Sequence, residues 1–440
     1  MSLSVSGSSS VEELFRSHAS ILRDPLAKDE AKLKSAQELS ERLEDHPDVF
    51  VKESLGVLLG LLRDGSPHFI AEYNVQQVRK TALECLQRLP AESLKPHFKS
   101  VLSLMFKLLE SENEENVLVI LRIIIELHKQ FRPMHSLEIT QFLQLVKSIY
   151  KELPNHLPKI FEPRDPIKVK DLGELNIEAL LGETFTVTTI TTEKKAPDGA
   201  SHVSYNLIPK AVLSLKVLQE LPIIVVLMYQ LYKQFVHQEV AEFIPLIMNT
   251  ITLQPSLQVR NHRKFNKEVF VDFMGAQIKT LSFLAYIIRI YLKVVSSHSG
   301  QMVEGMLSLL AICPHEVAHL RKELLIAARH ILATDLRTKF VPHMEKLFDE
   351  NILLGRGWTT HESLRPLAYS TLADLVHHVR QHILLSDLSR AVQLFSLNVH
   401  DESSPPPFKP CPASSSSTSW SAFGAGATRS KVGETGGSYL

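Results

Sequence analysis

Arg365-Pro366-Leu367-Ala368-Tyr369-Ser370-Thr371-Leu372-Ala373-Asp374-Leu375-Val376-His377-His378-Val379-Arg380-Gln381-His382 is the stretch on which the reading of this chain turns. Leu372, Leu375, Val376, Val379 and Ile383 recur at helical spacing and form one apolar stripe. Pro366 stands near the expected helix start, where its missing N–H costs little, and Ser363 is placed to cap it. Asp374, His378 and His382 fall four apart on the other side, the spacing of a metal site. A divalent ion there needs neutral imidazoles and a fourth ligand, and the sequence identifies none. The preferred reading is a repeat helix whose polar face meets solvent.

Working outward, the helix before this one belongs to a recurring pattern. Leu94-Lys95-Pro96-His97-Phe98, Phe243-Ile244-Pro245-Leu246-Ile247 and Phe340-Val341-Pro342-His343-Met344 each place a proline between apolar residues, with further apolar residues a turn later. Each Pro-led helix is followed, roughly twenty residues on, by a more apolar one, the spacing of HEAT-type units of about 40–47 residues. Paired amphipathic helices cannot bury their stripes alone, so they stack into a solenoid, expected to be right-handed. The pattern predicts an all-α, HEAT-like helical-repeat array with two departures.

The first departure is residues 158–208. Pro163, Pro166, Gly173 and Gly182 interrupt the helical pattern, and Phe185-Thr186-Val187-Thr188-Thr189-Ile190-Thr191-Thr192 alternates as a strand would. Pro197-Asp198-Gly199 is turn chemistry, and Val203 to Ile208 is placed to return as a second strand. The second departure starts after Ser403, where Pro405-Pro406-Pro407 and Ser414 to Ser417 cannot bury enough apolar surface to offset ordering. The expected organisation is a disordered 1–10, repeats over 11–157, an extended or β-hairpin insert over 158–208, repeats over 209–403, and a disordered tail over 404–440.

Within the repeats, helices are expected over Tyr73 to Leu89, Leu94 to Leu109, Val117 to Phe131 and Ile139 to Tyr150, the last ended by Pro154 and Pro158. Beyond the insert they are expected at Pro222 to Gln234, Val240 to Ile251, Val269 to Val295 (interrupted at Gly275), Met302 to Ile312, Glu316 to Leu332, Phe340 to Phe348, Leu364 to His382 and Leu388 to Leu397. Val117 to Leu127 is apolar almost all round and needs neighbours on several sides. Glu112, Glu114 and Glu115 read as an acidic first turn that complements the helix dipole.

Composition narrows the function classes. Lys+Arg and Asp+Glu both number 48, so no general attraction to nucleic acid or anionic membrane is indicated. Cys85, Cys313 and Cys411 stand far apart with no CxxC pair, which gives neither a disulfide framework nor a Cys-based zinc site. Met1 to Ser10 lacks a basic region and an apolar core, so no signal peptide is expected. The absence of an Asn-x-Ser/Thr sequon fits a cytosolic or nuclear chain, and Leu221 to Leu231 is too short an apolar run to span a bilayer.

His315-Glu316-Val317-Ala318-His319 satisfies HExxH, in which two histidines one helical turn apart bind zinc and the glutamate acts as base. Cys313 adds a third ligand to that reading. Against it, Lys322 and Leu325 occupy the Gly and His places of the extended motif, and among 20 histidines a five-residue match arises readily by chance. A zinc hydrolase built on His315, Glu316 and His319 therefore stands as the alternative. Arg260, His262, Arg263, Lys264 and Lys267 form a basic loop around Phe265, suited to an acidic peptide or a nucleic-acid backbone, although surface loops often carry such runs. No phosphate-binding loop, GxSxG elbow or kinase signature occurs, and no cofactor is expected.

Several stretches carry a family resemblance. They are Glu112 to Leu118 leading into Leu121-Arg122-Ile123-Ile124-Ile125-Glu126-Leu127-His128-Lys129-Gln130-Phe131-Arg132-Pro133, and Leu213 to Leu218 leading into Glu220-Leu221-Pro222-Ile223-Ile224-Val225-Val226-Leu227-Met228-Tyr229-Gln230-Leu231-Tyr232-Lys233. With Ala276 to Tyr291 and the opening stretch, they resemble the extreme N-terminal region of the TRRAP-like proteins, the transformation/transcription domain-associated family. The resemblance runs from about residue 11 to 403 and is weak in 158–208.

It implies giant members of the phosphatidylinositol-3-kinase-related family, with a kinase domain that lacks catalytic residues. Such proteins are helical-repeat scaffolds of histone acetyltransferase complexes, both SAGA-type and nucleosomal H4-acetylating, through which activators recruit those complexes. The implied partners are transcription activators and complex subunits, and the implied location is the nucleus. Two departures are evident: the later repeats, FAT segment and pseudokinase domain do not follow, and the composition changes after Glu402-Ser403. A truncated isoform or an incomplete gene model accounts for both. A generic solenoid adaptor or transport factor is the remaining alternative.

Overall fold

A computed structural model describes residues 5–65, 73–132, 137–161, 167–169, 185–195, 201–263, 265–314, 316–354 and 361–399. The chain divides into two compact units, Met1–Leu394 and Phe395–Leu440. The second is described only over 395–399, so the architecture concerns the first. The expected tail over 404–440 and the turn Pro197-Asp198-Gly199 lie outside the described residues.

Helices account for most of the described residues of the first unit. In chain order they are α1 (Val5–Arg23), α2 (Asp29–Arg42), α3 (Pro47–Phe50), α4 (Gly56–Asp64, joined to α3 by a π turn at Val51–Leu55), α5 (Tyr73–Arg88), α6 (Ala91–Leu94), α7 (Phe98–Leu108), α8 (Glu114–Phe131) and α9 (Leu137–Phe161). Three strands follow, β1 (Ile167–Val169), β2 (Phe185–Lys195) and β3 (Ser201–Pro209). The array resumes with α10 (Leu215–Ala241), α11 (Phe243–Thr252), α12 (Leu257–Arg260), α13 (Lys267–Ile287), α14 (Leu292–Ser297), α15 (Ser299–Ile312) and α16 (Ala318–Leu332). It ends with α17 (Met344–Leu347), α18 (Glu350–Leu353), α19 (His361–Val379) and α20 (Leu385–Val399).

Packing sorts these helices into two layers. In the second layer, which holds the second helix of each pair, α2 packs on α5, α5 on α8, α8 on α10, α10 on α13, α13 on α16 and α16 on α19. In the other, α1 packs on α4, α4 on α7, α7 on α9, α9 on α11, α11 on α15 and α15 on α18. Each repeat contributes one helix to each layer, the arrangement of a HEAT-like solenoid, in which every unit buries its stripe on its neighbours. α8 shows why: Val117, Val119, Ile120, Leu121, Ile123, Ile124 and Leu127 are all buried, on faces that look toward α5, α7 and α10. Gly305 and Gly275 mark close approaches between helices. A Cβ at Gly305 would lie 2.7 Å from Ile251 Cγ1, and one at Gly275 2.8 Å from Gln219 Oε1.

Several expected boundaries move. α9 runs through Pro154 and Pro158 instead of ending at them. Both prolines lie on its exposed face, while Leu153, Leu157, Ile160 and Phe161 stay buried, so stripe burial outweighs the lost backbone bonds. Gly275 does not interrupt α13, which breaks instead at residues 288–291. Pro222 lies inside α10, which is kinked at Tyr232 (φ −125°, ψ 27°). The Pro342 unit is a 3-10 segment, Asp335–His343, before the short α17, and Pro96 likewise sits in a 3-10 turn, Lys95–His97. The first helix begins at Val5, inside the Ser-rich opening expected to be disordered.

The insert is a three-stranded antiparallel sheet of order β1-β3-β2, with Ile167 opposite Tyr205 and Thr188 opposite Asn206. The strand at Ile167–Val169 was not anticipated from sequence, where only a hairpin was legible. Among the described helices α10 alone is long and apolar enough to cross a membrane by length and composition. Its Leu218, Leu221, Ile224, Val225 and Met228 are buried, and it lies between α8 and α13 in the ladder.

Candidate docking edge

The motifs singled out in the sequence share one topological position. Each lies where a repeat passes from its first-layer helix to its second-layer helix. The acidic turn joins α7 to α8, the sheet joins α9 to α10, the basic loop joins α11 to α13, and HEVAH joins α15 to α16. Because the layers run in register, these corners follow one another along one edge of the array.

Neighbouring corners are bonded to each other. After β3, Lys210 forms an isolated antiparallel bridge with Asn113. Asn113 caps α8 by accepting from the Asn116 N–H at 3.0 Å, and Ser214 caps α10 by accepting from the Val217 N–H at 3.2 Å. Ser214 Oγ donates to Glu114 at 2.7 Å, and Lys216 Nζ lies 3.4 Å from the same carboxylate. Burial raises the Asp272 carboxyl above its usual range; Lys216 opposes the rise, and Glu114 and Glu268 add to it.

Glu114 and Glu115 occupy the first turn of α8 as expected, with Glu115 exposed, but Glu112 precedes the helix. Glu112 is fully buried and pairs with buried Arg79 at 2.5 Å, while its second oxygen accepts from Asn116 Nδ2 at 3.0 Å. Arg79 also donates to the carbonyls of Leu61, Leu62 and Gly65, the open C-terminal end of α4. Two later corners repeat this use of a side chain. Gln277 of α13 donates to the carbonyls of Thr250 and Leu253 at the end of α11, at 2.8 and 2.7 Å. Arg321 of α16 donates to Leu310 and Cys313 at the end of α15, and to Ile352 and Leu353 at the end of α18. Sequence reading missed all three. Their signal was a polar residue on the apolar stripe of a second-layer helix.

In the basic loop, Arg263 and Lys267 are exposed and Arg260 is half-buried; Lys264 lies outside the described residues. None of the three described cations has an ion-pair partner among the described residues. Phe265, expected as a contact aromatic within the loop, instead stacks on Phe161 with ring centroids 5.9 Å apart and planes at 10°. It ties the loop to the end of α9. Asn266 caps α13 by accepting from the N–H groups of Glu268 and Val269.

At the HEVAH corner the described chain enters α16 only after Glu316 and Val317. α16 begins at Ala318 and holds the exposed His319 as its second residue; His315 lies outside the described residues. Glu316, expected to open that helix, precedes it. Cys313 is buried, its thiol is pushed up by burial, and its carbonyl accepts from Arg321 Nη2 at 2.8 Å. In α19, Leu372, Leu375 and Val379 are buried as the stripe predicts, with Val376 and Ile383 half-buried. That helix starts at His361 with Ser363 already inside it, and ends before His382. His378 and His382 are exposed, and Asp374 pairs with Arg329 of α16 at 3.1 Å. No group of three or more His, Cys, Asp or Glu with metal-holding geometry occurs among the described residues.

The paired layers and polar corner clamps define the class: a HEAT-like α-solenoid that displays a varied edge. A family model described as the Tra1 HEAT repeat central region matches residues 269–411. The chain is 57% identical over 396 residues to Transcription-associated protein 1 of Drosophila melanogaster, covering 88% of this chain and 10% of that protein. It is 55% identical over 390 residues to the human Transformation/transcription domain-associated protein, covering 87% of this chain and 10% of that protein. It is 31% identical over 428 residues to the SAGA complex/NuA4 acetyltransferase complex subunit TRA1 of Saccharomyces cerevisiae, covering 90% of this chain and 11% of that protein. The chain belongs to the TRRAP/Tra1 family, corresponds to its N-terminal region, and spans about a tenth of the length of these relatives. Among solved structures, the crystal structure of Kap121p bound to Pho4p overlaps 88% of this chain and 39% of its own at TM-score 0.37 and 13% identity, a likeness too loose to carry an argument.

Proposed function

We propose that this chain is a non-catalytic scaffold segment of a nuclear transcription coactivator, docking activators and subunits of a histone acetyltransferase complex. One observation carries the reading. Identity to transcription-associated proteins, one of them named as a SAGA/NuA4 subunit, covers 88% and 90% of the chain and is not confined to one motif. A solenoid supports such a role because side chains on successive repeats present a long surface to apolar-anchored helices of partners. The basic loop at Arg260, Arg263, Lys264 and Lys267 is the proposed contact for acidic segments. Zero formal net charge supports protein partners over nucleic acid.

A pull-down with acidic activation domains and purified acetyltransferase-complex subunits tests the proposal, with an unrelated HEAT array as control. Retention above the control, reduced when the four basic residues are changed to Glu, is the expected result. Retention equal to the control would leave no docking role. Binding of a Ran-like GTPase with indifference to acetyltransferase subunits would favour a transport factor. Stoichiometric zinc lost in the H315A/H319A variant would replace the scaffold reading by the hydrolase.

A further inference from the structure

Glycine weakens a helix, and this fold places Gly275 and Gly305 where a neighbouring side chain leaves no room for a Cβ. Gly56 and Gly60 break that usage. They sit one turn apart on α4, and nothing lies within 4 Å of a Cβ built at Gly56. At Gly60 only Arg63 and Asp64 of the same stretch come near, both at 3.9 Å. The bare helix surface floors a cleft of about 590 Å³ bounded by the end of α1, the start of α2, α4 and α5. Val57, Leu61 and Val78 give it apolar walls.

Charge at the cleft is unbalanced. Arg63 pairs with Asp64 at 3.0 Å, and Arg79 is held by Glu112. Arg23 and Lys32 remain on the lining without an ion-pair partner among the described residues, against the single carboxylate of Asp29. The volume suits the side-chain ridge of a helix seated in an open groove, with close approach allowed where no Cβ intervenes. We propose that this cleft docks a partner helix that lays Ala- and Leu-sized side chains over Gly56 and Gly60 and points a carboxylate at Arg23 and Lys32. The proposal rests on the scaffold reading and assigns it a site on the first two repeats.

The test uses the full chain and two labelled 18-residue helical peptides, with an Ala/Leu face flanked by Glu in one and by Lys in the other, followed by fluorescence anisotropy. The Glu peptide is expected to bind and the Lys peptide not. G56L/G60L should weaken binding roughly tenfold or more by filling the groove. Its thermal midpoint should stay level or rise, because leucine is the better helix former and Gly56 faces open space. R23E/K32E should weaken binding roughly threefold to tenfold and admit the Lys peptide. No binding of the Glu peptide, equal binding of both peptides, or unchanged affinity in G56L/G60L would each overturn the proposal. Co-purification of wild-type chain and G56L/G60L with acetyltransferase subunits keeps the two readings apart. Loss of partners by the wild type sinks the scaffold reading, whereas failure of the peptide arms alone sinks only this site.

Discussion

Arg79 and Arg321 occupy equivalent places in two repeats, and the difference between them shows what the corners require. Both are buried on a second-layer helix, and both close the C-terminal end of the preceding first-layer helix. Arg79 has a carboxylate, Glu112, delivered by the next corner along. Arg321 has no carboxylate partner among the described residues; burial lowers its pKa, and its Nε has no hydrogen-bond partner. The negative ends of two helices, α15 and α18, offset its charge instead. Gln277 closes the end of α11 with no charge at all. The common requirement is a donor for stranded carbonyls, and the ion pair is an addition at one corner.

The largest effect should follow from breaking that addition. Glu112→Ala leaves Arg79 buried and uncompensated, an expected loss of about 3–5 kcal/mol. It should appear in hydrogen exchange as lost protection across α4, α5 and α8, with α13 to α19 unaffected, because a solenoid couples mainly to nearest neighbours. Protection lost evenly along the array would contradict the local account. Arg321→Met comes next. It removes charge-assisted bonds to carbonyls that partly recover water, so about 2 kcal/mol is expected, read from the urea midpoint of the later repeats. A loss equal to that of Glu112→Ala would erase the contrast between the corners.

Gly65→Ala sharpens the comparison more gently. Its Cβ would lie 2.7 Å from the Leu61 carbonyl oxygen and 2.9 Å from Arg79 Nη1, so the clamp must shift at a cost of about 1 kcal/mol. Thermal midpoints of the single and the Gly65→Ala/Arg79→Met variants should differ by less than additivity requires.

The smallest effect concerns pH. His128 is fully buried, its Nδ1 lies 2.9 Å from the Ile124 carbonyl, and burial lowers its pKa. The unfolded chain takes up this proton near pH 6.5 while the folded one resists it, so stability falls as pH drops below about 6.5. His128→Phe should flatten that slope for α8 without altering the Arg321 repeats. An unchanged slope would remove His128 from the account.

Much of the array was legible because its signals are local. The stripes of α8 and α19 and the Pro-led spacing need only helical periodicity, and the Thr-rich alternation at Phe185 to Thr192 needs only strand periodicity. Pro154 and Pro158 misled because a proline's cost depends on which face it occupies, and both face solvent. Glu112 and Phe265 misled for a related reason. A charge or an aromatic in a polar loop looks exposed until a neighbouring repeat, carrying Arg79 or Phe161, is placed against it.

By itself the sequence determined the class: paired helices, the repeat length, a strand-forming insert and the family. Only the tertiary structure decided that the acidic turn, the insert, the basic loop and HEVAH are successive corners of one edge. It also decided that Arg79, Gln277 and Arg321 are clamps, and that Gly56 and Gly60 face an open cleft. Periodicity reports which face of a helix is apolar. It is silent on which residue, tens of positions away, stands opposite, because stacking of repeats sets that and no single segment encodes it.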